Sequence, residues 1–200
     1  MDLKPLSEAL KDTPIIPAVK SREGLEKSLA CECEMVFVLF GDVLSVAGIV
    51  SKLKTAGKTV FVHIDLIEGL ASRDISVDFL AQSTGADGII STKSGIVRRA
   101  KAQGLFTIQR FFVLDSMALL NIEKQIPFEN VDAIEILPGA MPKAIKKVAG
   151  LTRKPVIASG LINDKEDVMN ALGAGATSVT TTNQKVWLLY NIYKIPIIRL

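Results

Sequence analysis

Four ionisable residues recur near the ends of apolar runs: Asp65 after Phe61-Val62-His63-Ile64, Lys93 after Ile89-Ile90-Ser91-Thr92, Arg110 after Thr107-Ile108-Gln109, and Glu135 between Ile134 and Ile136. Two acids and two bases in apolar surroundings suit a small polar anion. The cations neutralise it, and the carboxylates accept hydrogen bonds from hydroxyl groups. A charge network that only closes a protein interior uses the same residue types, because charges near a low-dielectric core need partners. His63, the single histidine of the chain, defines no catalytic base alone, and a histidine hydrogen-bonded within the core is its plainer reading.

Two short segments carry a second kind of chemistry. Ser159-Gly160-Leu161 and Thr181-Thr182-Asn183 follow apolar runs and precede helical patterns. A glycine lets backbone N–H groups approach an anion closely, hydroxyls donate to phosphate oxygens, and a helix N-terminus favours negative charge. Ordinary turns draw on the same residues.

The elements that must position these groups repeat about every 25 residues, β-rich runs alternating with helical segments. Strands are expected at 15–19, 35–41, 59–66, 88–92, 106–112, 133–137, 156–159 and 178–182. Helices are expected at 22–30, 43–55, 77–83, 95–103, 116–125, 142–150, 165–172 and 184–190. Asp74, Asp115 and Asp164 stand at expected N-caps, and Gly57, Gly85, Gly104, Gly150 and Gly173 at expected left-handed C-caps. In the third strand Val60, Val62, Ile64 and Leu66 would face helices, while Phe61, His63 and Asp65 face inward. Strands nearly continuous in Val, Ile and Phe are covered on both faces, which calls for a parallel sheet. Eight strand–helix units predict one α/β domain over residues 1–200, a (β/α)8 TIM barrel. An open doubly wound sheet is the alternative, but no G-x-G-x-x-G turn follows the first strand. Ligands of such a barrel bind at the C-terminal ends of the strands, often with phosphate at the seventh and eighth loops.

The composition, 48% hydrophobic and 22% charged over 200 residues, excludes a disordered chain and suits one sizeable core. Cys31 and Cys33, one residue apart, favour neither a structural disulfide nor a metal set, so no metal is expected and a reducing, cytoplasmic setting fits. The longest apolar run is too short to span a membrane, and no secretory signal pattern opens the chain. A net charge of +3 implies no polyanionic partner by itself. Yet Lys93, Arg98, Arg99, Lys101 and Arg110 lie in one stretch without an acid, and Lys143, Lys146, Lys147, Arg153 and Lys154 in another. These are a candidate landing surface for phosphates, or else two solvated helix faces.

The strings Ile15-Ile16-Pro17-Ala18-Val19, Phe61-Val62-His63-Ile64-Asp65-Leu66-Ile67-Glu68-Gly69-Leu70, Ala86-Asp87-Gly88-Ile89-Ile90-Ser91-Thr92-Lys93, Thr107-Ile108-Gln109-Arg110-Phe111-Phe112 with Asp115-Ser116, and Ile134-Glu135-Ile136-Leu137-Pro138-Gly139 resemble the glycerol-3-phosphate-responsive antiterminators. The resemblance spans nearly the whole chain. It implies a (β/α)8 fold, glycerol 3-phosphate as effector without a cofactor, and action on the leader of messenger RNA that prevents early termination of transcription. Ser159 departs from the glycine expected in the family's seventh loop, Thr181-Thr182-Asn183 replaces a more serine-rich version, and Ala71-Ser72-Arg73 diverges.

Two functions therefore stand side by side. In a non-catalytic regulator Ser159, Gly160, Thr181, Thr182 and Asn183 surround the phosphate, Lys93 and Arg110 add charge, and Asp65 and Glu135 accept from the glycerol hydroxyls. Arg98, Arg99, Lys101, Lys143, Lys146 and Lys147 then meet the RNA backbone; stacking aromatics are scarce, with Trp187, Tyr190 and Tyr193 near the end of the chain. In an isomerase or lyase acting on a phosphorylated triose, Asp65 or Glu135 is the base and Lys93 an electrophile or Schiff-base nucleophile. Trp187 and the tail Ile195-Pro196-Ile197-Ile198 mark a possible homodimer contact, or packing across the bottom of the barrel.

Overall fold

The computed structural model describes residues 5–126 and 130–194. Eight strands, β1 (Ile15–Val19), β2 (Met35–Val38), β3 (Thr59–His63), β4 (Gly88–Ser91), β5 (Phe106–Phe112), β6 (Ala133–Leu137), β7 (Val156–Ser159) and β8 (Ser178–Thr181), run parallel and close into a barrel where β1 meets β8. Helix α1 (Leu6–Lys11) precedes them. Helices α2 (Arg22–Ala30), α3 (Val46–Thr55), α4 (Asp74–Ser83), α5 (Ser94–Ala102), α6 (Ser116–Gln125), α7 (Pro142–Leu151) and α8 (Lys165–Gly173) follow the first seven strands, and α9 (Gln184–Trp187) and α10 (Tyr190–Lys194) follow β8. The expected single-domain (β/α)8 TIM barrel is the observed fold.

Pairing register decides which side chains share a height inside. Phe61 opposes Gly88, which opposes Phe106, and the tilt of the strands raises the level by about one residue per strand, so alternate strands contribute to one layer. Followed around the ring, the pairs stack Met35, Gly88, Ala133 and Ser178 lowest. Ile16, Phe61, Ile108 and Ile157 come next, then Phe37, Ile90, Glu135 and Thr180, then Ala18, His63, Arg110 and Ser159. The lower layers are apolar and close-packed; the Phe37 and Phe61 rings meet with centroids 5.5 Å apart. Helix α1 stoppers the bottom: Leu6 and Leu10 join the interior cluster, and Ser178 Oγ donates to the Leu10 carbonyl at 3.0 Å. On the outer face Val60, Val62, Ile89, Ile134 and Ile136 pack under helix residues such as Val50, Leu53, Val97, Ile145 and Val148.

Differences from the expected elements are local. β3 ends at His63, and a 3₁₀ turn over Ile64–Leu66 breaks the alternation, leaving Leu66 exposed rather than beneath a helix. Asp74 opens α4 one residue inside its N-cap, Arg73. Gly57, Gly85 and Gly104 take positive φ as expected, but Gly150 and Gly173 end inside helices and Gly175 makes the left-handed turn instead. Helix α1 is too short to show an amphipathic period in sequence; only closure of the barrel supplies the apolar floor it covers.

A Cβ on Gly88 would lie 2.4 Å from the Phe61 ring and 2.5 Å from the Phe106 carbonyl oxygen. Gly88→Ala is therefore expected to lower stability by about 2–3 kcal/mol through overpacking, read as a fall in the urea midpoint.

Candidate functional site

The two upper layers turn polar at the C-terminal ends of the strands, where the fold places ligands. Arg110 and Glu135 are register partners on β5 and β6, both pointing inward. Arg110 Nε donates to Glu135 Oε2 at 2.6 Å and Nη2 to Oε1 at 3.1 Å, a bidentate pair with Glu135 sealed from solvent and Arg110 7% exposed. A carboxylate in that position fixes the guanidinium and offsets its desolvation. Glu135 thus holds Arg110, while Nη1 is the guanidinium nitrogen not used by this pair.

The fourth layer forms the floor of the mouth. Ala18, His63 and Ser159 are 5%, 2% and 7% exposed, so solvent only just reaches them. His63 Nδ1 is buried and has no hydrogen-bond partner among the described residues, and the same holds for Thr180 Oγ1 one layer below. Burial, and then the Arg110 guanidinium, push the His63 imidazole down to about 3 against the opposing pull of Asp65. The side chain is neutral at ordinary pH.

Asp65 occupies the rim but is already engaged. Its carboxylate accepts from Ser91 Oγ at 2.9 Å and from the Thr92 N–H and hydroxyl at 2.7 and 2.9 Å. Burial raises its proton affinity, yet those donors outweigh it and hold the group below the usual carboxylate range. The sequence pattern missed this use of Ser91 and Thr92: Asp65 fastens the turn after β3 to the end of β4. Lys93 Nζ donates to Ser72 Oγ in the loop before α4.

The seventh and eighth loops are stitched together. Thr181 Oγ1 donates to the Ile162 carbonyl at 2.7 Å, Asn183 Nδ2 to the Asn163 carbonyl at 2.8 Å, and Asn183 Oδ1 accepts the Lys185 N–H at the start of α9. The Thr181 hydroxyl and the Asn183 amide are thus structural ties, and Thr182 is exposed at the mouth. Gly160 and Leu161 both take positive φ, +75° and +59°, and a side chain at the latter bears real strain. The backbone N–H groups of Leu161, Ile162 and Thr182 make no hydrogen bond among the described residues. Successive free N–H groups on a twisted backbone suit an anion.

The cationic helices are less free than their composition suggests. Arg99 forms a bidentate pair with Asp78 at 2.8 Å, and Lys101 and Lys147 pair with Asp132 and Glu123. Arg98, Lys143 and Lys146 are exposed and make no ion pair among the described residues. α5 and α7 flank α6 rather than touching. Trp187 and Tyr190 are buried, Trp187 Nε1 donating to the Thr181 carbonyl at 2.9 Å, so neither is a surface platform for bases or a dimer contact. The side chain of Tyr193 and the tail 195–198 lie outside the described residues. Among those residues there is no cluster of metal-ligating groups and no helix long and apolar enough to cross a membrane.

Two outcomes follow from this geometry. Arg110→Met leaves Glu135 buried and unpaired and should cost about 3–5 kcal/mol, whereas the double change with Glu135→Leu recovers most of it, as a denaturant double-mutant cycle will read. Because the folded His63 resists the proton that the unfolded chain accepts near 6.5, stability falls as pH drops from about 6.5 toward about 3. In His63→Gln that part of the urea-midpoint profile is expected to flatten.

The chain is similar to several known proteins. The sequence model of the glycerol-3-phosphate responsive antiterminators matches residues 15–187. The uncharacterized protein YgcP of Escherichia coli (strain K12) is 44% identical over 185 residues, covering 92% of this chain and 97% of that protein. A glycerol uptake operon antiterminator regulatory protein from Listeria monocytogenes superposes with a TM-score of 0.84 at 35% identity, over 88% of this chain and 95% of the other. A glycerol uptake operon antiterminator-related protein from Thermotoga maritima does so with 0.78 at 33% identity, over 88% and 98%. A family match across residues 15–187 means that the chain belongs to the glycerol-3-phosphate responsive antiterminator family.

Proposed function

We propose that this protein is a cytoplasmic regulator that binds glycerol 3-phosphate in the mouth of its barrel. Once loaded, it binds the messenger RNA leader of a glycerol-utilisation operon and prevents early termination. The observation that carries the reading is the polar floor with Arg110 fixed by Glu135, together with backbone N–H groups of the seventh and eighth loops that make no hydrogen bond among the described residues. The phosphate lies at Ser159, Gly160, Leu161 and Thr182, with Thr181 and Asn183 holding the loops around it and Arg110 and Lys93 supplying charge. Asp65 and Glu135 act mainly by holding Thr92 and Arg110 in place. A free carboxylate acceptor is not required for this.

For RNA, Arg98, Lys143 and Lys146 are the cations ready for phosphate contact; Arg99, Lys101 and Lys147 contribute only after exchanging their carboxylate partners. A homodimer would bring two such surfaces to one transcript. The catalytic alternative asks Asp65 or Glu135 to take a proton while both are occupied as acceptors, and no particular contact favours it.

Glycerol 3-phosphate at a hundred times its dissociation constant should stabilise the fold by about 2.7 kcal/mol, read as a rise in Tm; no shift at millimolar ligand would count against the site. In a mobility-shift assay with a leader hairpin, ligand should tighten binding, and log K should fall against log salt with a slope of about −2 to −3.5. Changing Arg98, Lys143 and Lys146 together to Ala should flatten that slope. Binding that ignores both ligand and charge sinks the regulator reading.

A further inference from the structure

We infer that His63 and Thr180 read the hydroxyl-bearing carbon chain of the ligand, so that the barrel floor selects a polyol phosphomonoester over a bare phosphoester. This rests on the proposed phosphate position at the seventh and eighth loops. From there geometry directs the rest of the molecule. β7 and β3 stand opposite each other in the eight-membered ring, so a ligand whose phosphate sits at Gly160 and Leu161 extends its other end across the floor toward His63. Ala18, on β1 next to β8 and two strands from β3, fills its place in the layer with only a methyl group. Thr180 on β8 and His63 on β3 carry the buried polar atoms, Oγ1 and Nδ1, that have no partner among the described residues.

Unpaired buried polar atoms are uncommon in folded proteins, and at the floor of a site they are satisfied by water or by ligand. The neighbouring acceptors cannot take that role: Glu135 is sealed beneath Arg110, and Asp65 is filled by Ser91 and Thr92. A neutral imidazole offers one donor and one acceptor, and a threonine hydroxyl offers both, which matches two adjacent hydroxyls.

Isothermal titration of wild type, His63→Leu and Thr180→Val with glycerol 3-phosphate and with methyl phosphate, which keeps the phosphoester and lacks free hydroxyls, tests the inference. Wild type should prefer glycerol 3-phosphate about tenfold or more. Both variants should bind methyl phosphate within about threefold of wild type and lose most of that preference. A preference that survives intact in both variants, or that is missing from wild type, overturns the inference while leaving the phosphate site standing. Wild type that binds neither compound overturns the reading of the mouth, and the inference with it. Should His63→Leu fail to fold, the near-isosteric Thr180→Val decides.

Discussion

The stagger of about one residue from each strand to the next is the constraint on which the rest of the molecule depends. Closure of eight parallel strands with that stagger brings alternate strands to a common height. Residues more than 40 positions apart in sequence, such as His63, Arg110 and Ser159, become neighbours in one layer. The same geometry sets Gly88 beside Phe61, where only the absent side chain leaves room for the ring. A slip of one residue would turn Arg110 and Glu135 out against helices and Ile134 and Phe111 into the lumen.

Burial then assigns the charges. Deep in the barrel a lone guanidinium is unaffordable, and Glu135 on the adjacent strand answers it with two parallel hydrogen bonds. That pair keeps the guanidinium fixed just below solvent, and burial, then the Arg110 charge, hold the His63 imidazole well below its ordinary value. Asp65 is spent on the Ser91–Thr92 corner. The mouth therefore presents one edge of a fixed, carboxylate-paired guanidinium beside neutral hydrogen-bonding neighbours.

On the outside the logic differs. Arg99, Lys101 and Lys147 tie neighbouring helices or loops together through Asp78, Asp132 and Glu123, partly exposed contacts worth little individually. Arg98, Lys143 and Lys146 are exposed and form no ion pair among the described residues. Sequence stretches free of acids said nothing of this division, because the acids that pair with those bases come from other elements.

Much of the molecule was legible before folding was considered. The alternation of apolar β-rich runs with helical segments is written in local chemistry, so β1, β5, β6 and β7 begin and end where the pattern places them. The strings around Asp65, Lys93, Arg110 and Glu135 pointed to the family and to a polar rim. Local pattern could not see the 3₁₀ turn after His63, the short stopper α1 or the burial of the Thr180 hydroxyl. Each of these depends on what lies opposite in space. Residue types along the chain determined which groups were available; which carboxylate would be consumed by which base, and that His63 Nδ1 and Thr180 Oγ1 would be buried without a partner among the described residues, was decided only when the ring closed, because hydrogen bonding and desolvation act over a few ångströms and ignore distance in sequence.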